Sequence, residues 1–111
     1  MFKRTKQGAI TVITGGAPST TENREVLSDV LETCLGEGQP RAVLDLQEVA
    51  LIDSAGLELL LDVQENFEQR AGTLKLAAPN SLCRDILSVT GVGNQFEIYR
   101  EVKSAVGSFL Q

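Results

Sequence analysis

The chain has no histidine and no tryptophan, and only one methionine, one tyrosine and two cysteines. Without an imidazole, the commonest general base near neutral pH is missing, and no serine sits in the Gly-x-Ser-x-Gly setting that marks a strained nucleophile turn. Cys34 and Cys83 lie far apart, each within a helix-like apolar pattern and neither in a Cys-x-x-Cys pair. With no histidine to complete a ligand set, a zinc site is excluded, and both cysteines read as small core residues. Gly15-Gly16 lacks the spaced glycines and the Lys-Ser/Thr pair of a phosphate-cradling loop, so it reads as a turn. Together these absences argue against an enzyme and against a resident metal or cofactor.

Long apolar runs and excess positive charge are also missing. No apolar stretch approaches the roughly 20 residues a membrane helix needs, and the start of the chain is too polar for a signal peptide, so the reducing cytoplasm is the expected compartment. Ten Lys and Arg face fifteen Asp and Glu, a formal net charge of −5. Such a field repels phosphate backbones and anionic headgroups, which argues against direct nucleic-acid binding and membrane insertion. Lys3, Arg4 and Lys6 form the only basic cluster and read as the solvent face of a first strand. What is present is a globular balance, 42% hydrophobic and 23% charged over 111 residues, sufficient for one core in a single domain spanning 1–111. A monomer is the expected state.

Along the chain, Ala9 to Thr14 is β-branched and bounded by glycines, and it pairs with Phe2 to Thr5 across Lys6-Gln7-Gly8 as an opening hairpin. Ser19 and Glu22 form a capping box ahead of a helix whose apolar face is Leu27, Val30, Leu31 and Cys34 and whose end is Gly36. Ala42 to Leu46 reads as a central strand covered on both faces. Ser54 to Arg70 reads as a helix ending at Gly72, Thr73 to Ala77 as a strand, Asn80 to Val89 as a helix stopped by Gly91, and Phe96 to Tyr99 as a last strand. Val102, Ala105, Val106 and Phe109 mark a C-terminal helix. The alternation predicts an α/β fold: a mostly parallel sheet with an N-terminal antiparallel hairpin strand and about four helices.

The informative segment is Leu51-Ile52-Asp53-Ser54-Ala55-Gly56-Leu57, where an apolar approach meets a polar pair and then a long helical pattern. On physical grounds Asp53 or Ser54 can simply cap the helix. The segment also resembles the Asp-Ser-x-Gly-Leu signature of STAS domains, the anti-sigma factor antagonists and their relatives. The likeness extends to the two opening strands, to the Ala42–Leu46 and Thr73–Ala77 strands, and to Val89-Thr90-Gly91-Val92, so it covers nearly the whole chain.

That resemblance implies a partner-switching regulator of transcription rather than an enzyme. In antagonists of this family the serine after the motif aspartate is phosphorylated by the partner anti-sigma factor, itself a serine kinase, and the role maps onto Ser54. Unphosphorylated protein captures the anti-sigma factor, phosphorylation releases it, and a phosphatase resets the cycle. One departure is that many antagonists carry an acidic residue in the loop after the second strand, whereas here that loop reads Gly15-Gly16-Ala17-Pro18-Ser19. Its absence implies slower phosphorylation or a different kinase. Two other functions fit the same resemblance: a STAS subunit of a lipid or anion transport assembly without a kinase cycle, and a small-ligand or nucleotide-binding domain using the loops near Gly15 and Ser54.

Helical geometry extends the expected partner surface. At about 100° per residue from Ser54, Glu58, Leu61 and Glu65 fall along one stripe, while Leu60, Val63 and Phe67 centre on another face and are expected in the core. The expected partner-binding residues are therefore Asp53, Ser54, Ala55, Gly56, Leu57, Glu58, Leu61 and Glu65.

Overall fold

The computed structural model describes residues 2–7, 10–15 and 41–109. The expected capping-box helix around residues 19–36, with Cys34, and the loop residues 16–19 lie outside the described residues. The elements are β1 (Phe2–Gln7), β2 (Ile10–Gly15), β3 (Arg41–Asp45), α1 (Ser54–Gln69), β4 (Thr73–Ala77), α2 (Ser81–Thr90), a 3-10 turn (Val92–Gln95), β5 (Ile98–Tyr99) and α3 (Val102–Phe109). One sheet holds the strands in the order β1-β2-β3-β4-β5.

The expectation of an antiparallel hairpin strand with about four helices is corrected to four parallel strands and three α-helices among the described residues. Strands β2 to β5 run parallel, while β1 runs antiparallel to β2 in a register from Phe2↔Gly15 to Gln7↔Ile10. The helix count is lower because the expected helix around residues 19–36 lies outside the described residues, while the other three expected helices are present. After α2, Gly91 takes a left-handed conformation, φ 78°, and ends that helix. A Cβ on Gly93 would stand 3.2 Å from the Leu87 carbonyl oxygen, so the chain folds back tightly and makes a single 3-10 turn. Phe96 then turns into the core, and the expected last strand shrinks from Phe96–Tyr99 to Ile98–Tyr99.

Side-chain alternation along the strands builds two apolar layers. Ala42, Leu44, Leu74 and Leu76 face α1 and α2 and meet Leu60, Val63 and Phe67 there. Val43 and Ala77 point to the opposite face, with Ile10 and Val12, and are covered by Ala105 and Val106 of α3. Burial of β3 on both faces follows from its central place and explains its unbroken apolar run.

Two polar side chains complete the packing. Gln64, buried on α1, accepts from the Leu74 N–H (2.9 Å) and donates to the carbonyls of Leu74 and Gln95 (3.1 Å each). Beyond it, the Leu76 and Ala78 N–H groups bond to the Glu97 and Tyr99 carbonyls, so the amide of Gln64 stands in for β5 at the one place that short strand does not reach. On the other face, the ammonium of Lys75 donates to Ser108 Oγ (2.7 Å), lies 4.2 Å from the centre of the Phe109 ring and pairs with Glu97 (3.5 Å). Its stem is buried while its charge is shared among α3 and the rim of β5.

Helix α1 ends differently from the sequence expectation. The left-handed residue is Ala71, φ 58°, and the following Gly72 N–H reaches back to the Phe67 carbonyl at 2.7 Å. That six-to-one bond is the closing contact of a Schellman-type end, here with alanine in the position glycine usually takes.

Candidate functional site

The site is built at the end of the sheet where the parallel strands finish. After Asp45, the Leu46 N–H bonds to the Ala77 carbonyl (2.8 Å), Asp45 accepts from the Gln47 N–H (2.9 Å), and Val49 and Ile52 turn into the core. The connection between β3 and α1 is thus fixed at both ends. It is also held from the side: Asn80 donates to the Val49 and Ala50 carbonyls, both at 3.1 Å, and its Oδ1 accepts from the Cys83 N–H (2.7 Å). One side chain caps α2 and grips the loop that leads into α1.

Asp53 is the N-cap of α1. Its backbone is extended, its Oδ1 accepts from the Gly56 N–H (2.9 Å), and its carbonyl accepts the first helical bond from Leu57 (3.0 Å). The capping role weighed for Asp53 or Ser54 therefore belongs to Asp53, which leaves the Ser54 side chain free for other work. Ser54 is exposed as the first residue of the helix, and no described group bonds its hydroxyl.

The expected partner-binding residues separate into two groups. Ser54, Glu58, Leu61 and Glu65 are exposed along successive turns of α1. Asp53 and Ala55 are half-buried, Gly56 is buried, and Leu57 packs partly against the core. Leu61 is 38% exposed, whereas Leu60, Val63 and Phe67 are nearly inaccessible, as the helical spacing predicted. Leu61 and Glu65 also line a groove of about 550 Å³ between α1 and the 3-10 turn, with Gln64, Glu68 and Gln95 on its walls.

Two further apolar side chains near the site were not singled out in the sequence. Leu51, just before the motif, is 38% exposed, and Leu82, in the first turn of α2, is 51% exposed. Because Asn80 ties that turn to the loop before α1, both leucines lie on segments that meet beside the motif. The signal for Leu82 was available: it falls off the Cys83–Leu87 stripe that faces the core.

Chemically, the arrangement offers the Ser54 hydroxyl to an outside reagent. No group of His, Cys, Asp and Glu able to hold a metal occurs among the described residues. The Cys83 thiol is buried, and burial pushes its pKa up, away from the reactive thiolate. No described helix is long and apolar enough to cross a membrane.

A parallel α/β sheet with an Asp-capped serine at the start of its first described helix defines the class. The STAS domain pattern matches residues 2–105, and the chain belongs to that family. It is 30% identical over 87 residues, 78% of this chain and 75% of the other, to BtrV of Bordetella bronchiseptica, which is named as an anti-sigma factor antagonist. The fold matches a crystal structure from Thermotoga maritima, likewise named as such an antagonist, with TM-score 0.92 and 21% identity, covering 99% of this chain and 95% of that one. It also matches the Bacillus cell-fate determinant SpoIIAA in its phosphorylated form, with TM-score 0.75 and 19% identity, covering 98% of this chain and 99% of that one.

Proposed function

We propose that this protein is an anti-sigma factor antagonist whose binding to an anti-sigma factor is switched by phosphorylation of Ser54. The observation that carries the proposal is the exposed Ser54 hydroxyl at the start of α1, bonded by no described group, with the cap supplied by Asp53 instead. A serine used as a cap would have its hydroxyl oxygen held by a backbone N–H, a bond worth about 1 kcal/mol that modification would have to break. The likeness to BtrV supports the partner class, and the existence of a phosphorylated SpoIIAA supports the modification.

The switch works by local charge. A phosphoserine carries about −1.5 to −2 charges near neutral pH, and at a helix N-terminus that charge faces free N–H groups and the positive end of the helix dipole. The domain therefore stays folded, and the cost falls on the interface. Against a partner seated over Ser54, Glu58, Leu61 and Glu65, desolvating or repelling the new charge by ~3 kcal/mol lowers affinity more than a hundredfold. The kinase is the anti-sigma factor and a phosphatase resets the cycle. The chain itself catalyses nothing, because its hydroxyl has no base beside it. It acts in the cytoplasm as a monomer.

Mass spectrometry of the intact protein from its native cells, with modified residues mapped and co-purifying proteins identified, tests this directly. Phosphate on Ser54 together with a serine-kinase partner is the expected result. An unmodified chain held by a membrane transporter would reject it.

A further inference from the structure

We infer that the pocket lined by Pro79, Arg84, Ile98, Tyr99 and Arg100 receives an acidic, partly apolar segment of a protein partner. The pocket lies at the β5 edge of the sheet, where Arg84 of α2 lines it together with Ile98 and Tyr99 of β5, and it measures about 230 Å³. That is below the usual ~300–1,000 Å³ of a small-molecule site and matches one or two peptide side chains.

Its charge is the reverse of the chain's. The protein carries a net −5, yet two arginines and, among the described residues, no carboxylate line this pocket. Neither arginine side chain has an ion-pair or hydrogen-bond partner among the described residues. Glu97, which precedes β5, is already engaged by the Tyr99 hydroxyl at 2.9 Å and the Lys75 ammonium at 3.5 Å. Two fixed forks of N–H donors left open beside apolar surface are suited to a carboxylate, which they can hold through paired hydrogen bonds. Ile98, 38% exposed, and Pro79 supply the surface for an apolar neighbour of that carboxylate. Among the described residues β5 pairs only with β4, so the open edge of this two-residue strand also lets an extended segment lie alongside. None of this depends on whether Ser54 is modified.

The test is an NMR titration of the ¹⁵N-labelled full chain with three probes: a blocked peptide of alternating glutamate and leucine, the same peptide with glutamine in place of glutamate, and inorganic phosphate. The expected result is saturable shifts of the Arg84, Ile98 and Arg100 amides with the glutamate peptide alone, and affinity lowered about tenfold in Arg84→Gln and in Arg100→Gln, as loss of one charge-assisted pair gives. Both arginines are exposed, so the variants should keep the parent spectrum elsewhere. No saturable response, or a response unchanged in both variants, would overturn the assignment. An equal response to phosphate would also overturn it, in favour of a free-anion site.

Discussion

Asn80 Nδ2 donates to the Val49 carbonyl at 3.1 Å, and through that bond the start of α2 fixes the loop that presents Ser54. The same side chain caps α2 through its Oδ1, so its two ends do separate jobs. Asn80→Ala should lose both and cost about 2 kcal/mol, while Asn80→Asp keeps the capping oxygen, loses the donors and should fall between. Urea unfolding midpoints of the three proteins check the order; equal costs for alanine and aspartate would mean the cap contributes nothing.

Gln64 supplies a strand's worth of hydrogen bonding from a helix. Gln64→Met preserves length and apolar packing but leaves the Leu74 N–H and two carbonyls without partners, so a loss of about 2–4 kcal/mol is expected. Hydrogen exchange at the Leu74 amide should accelerate with it. A neutral substitution would show that water replaces the side-chain amide there.

Ala71 holds a left-handed conformation that costs a non-glycine residue about 1–2 kcal/mol, partly offset by the greater chain entropy glycine loses on folding. Ala71→Gly should therefore raise stability by roughly 0.5–1 kcal/mol, visible as a few degrees in melting temperature. Gly91, at φ 78° with open space around its missing Cβ, is the opposite case: Gly91→Ala should destabilise by about 1 kcal/mol through backbone strain alone.

Leu60 and Leu61 are neighbours in sequence with opposite fates. Leu60→Ala should cost about 2–5 kcal/mol of stability, whereas Leu61→Ala should leave the unfolding midpoint nearly unchanged and weaken partner binding by about 1–2 kcal/mol. Glu58→Lys should weaken binding similarly by reversing charge on the same stripe. Paired denaturation and binding titrations separate the two effects, and a large stability loss in Leu61→Ala would remove it from the docking surface.

These residues also mark how far the sequence could be read. The 3.6-residue spacing separated Leu60, Val63 and Phe67 from Leu61 because a helix on a sheet buries one face only. Thr73–Ala77 was legible from its short, mostly apolar run between helical patterns, and the Asn80-to-Gly91 frame of α2 from its capping residues. Gln64 was not, since a glutamine on a helix reads as solvent-facing until the uncovered Leu74 amide is placed beside it. Ala71 was missed because Gly72, next in line, carries the usual signal for a left-handed residue. The strand at Phe96 was overextended because inward packing and strand pairing draw on the same apolar residues. At the site, the Asp53-Ser54 pair was legible but its division of labour was not: either side chain could cap, and only the Asp53–Gly56 bond decides it.

Binding of the cognate anti-sigma factor, titrated against four forms of the chain, tests the central claim most directly. Unmodified protein and Ser54→Ala should bind with similar affinity, Ser54-phosphorylated protein should bind more than a hundredfold more weakly than the unmodified form, and Ser54→Asp should bind weakly but less so than the phosphoprotein, because it carries only part of the phosphate charge. Equal affinity for the unmodified and phosphorylated proteins would contradict the switch at Ser54.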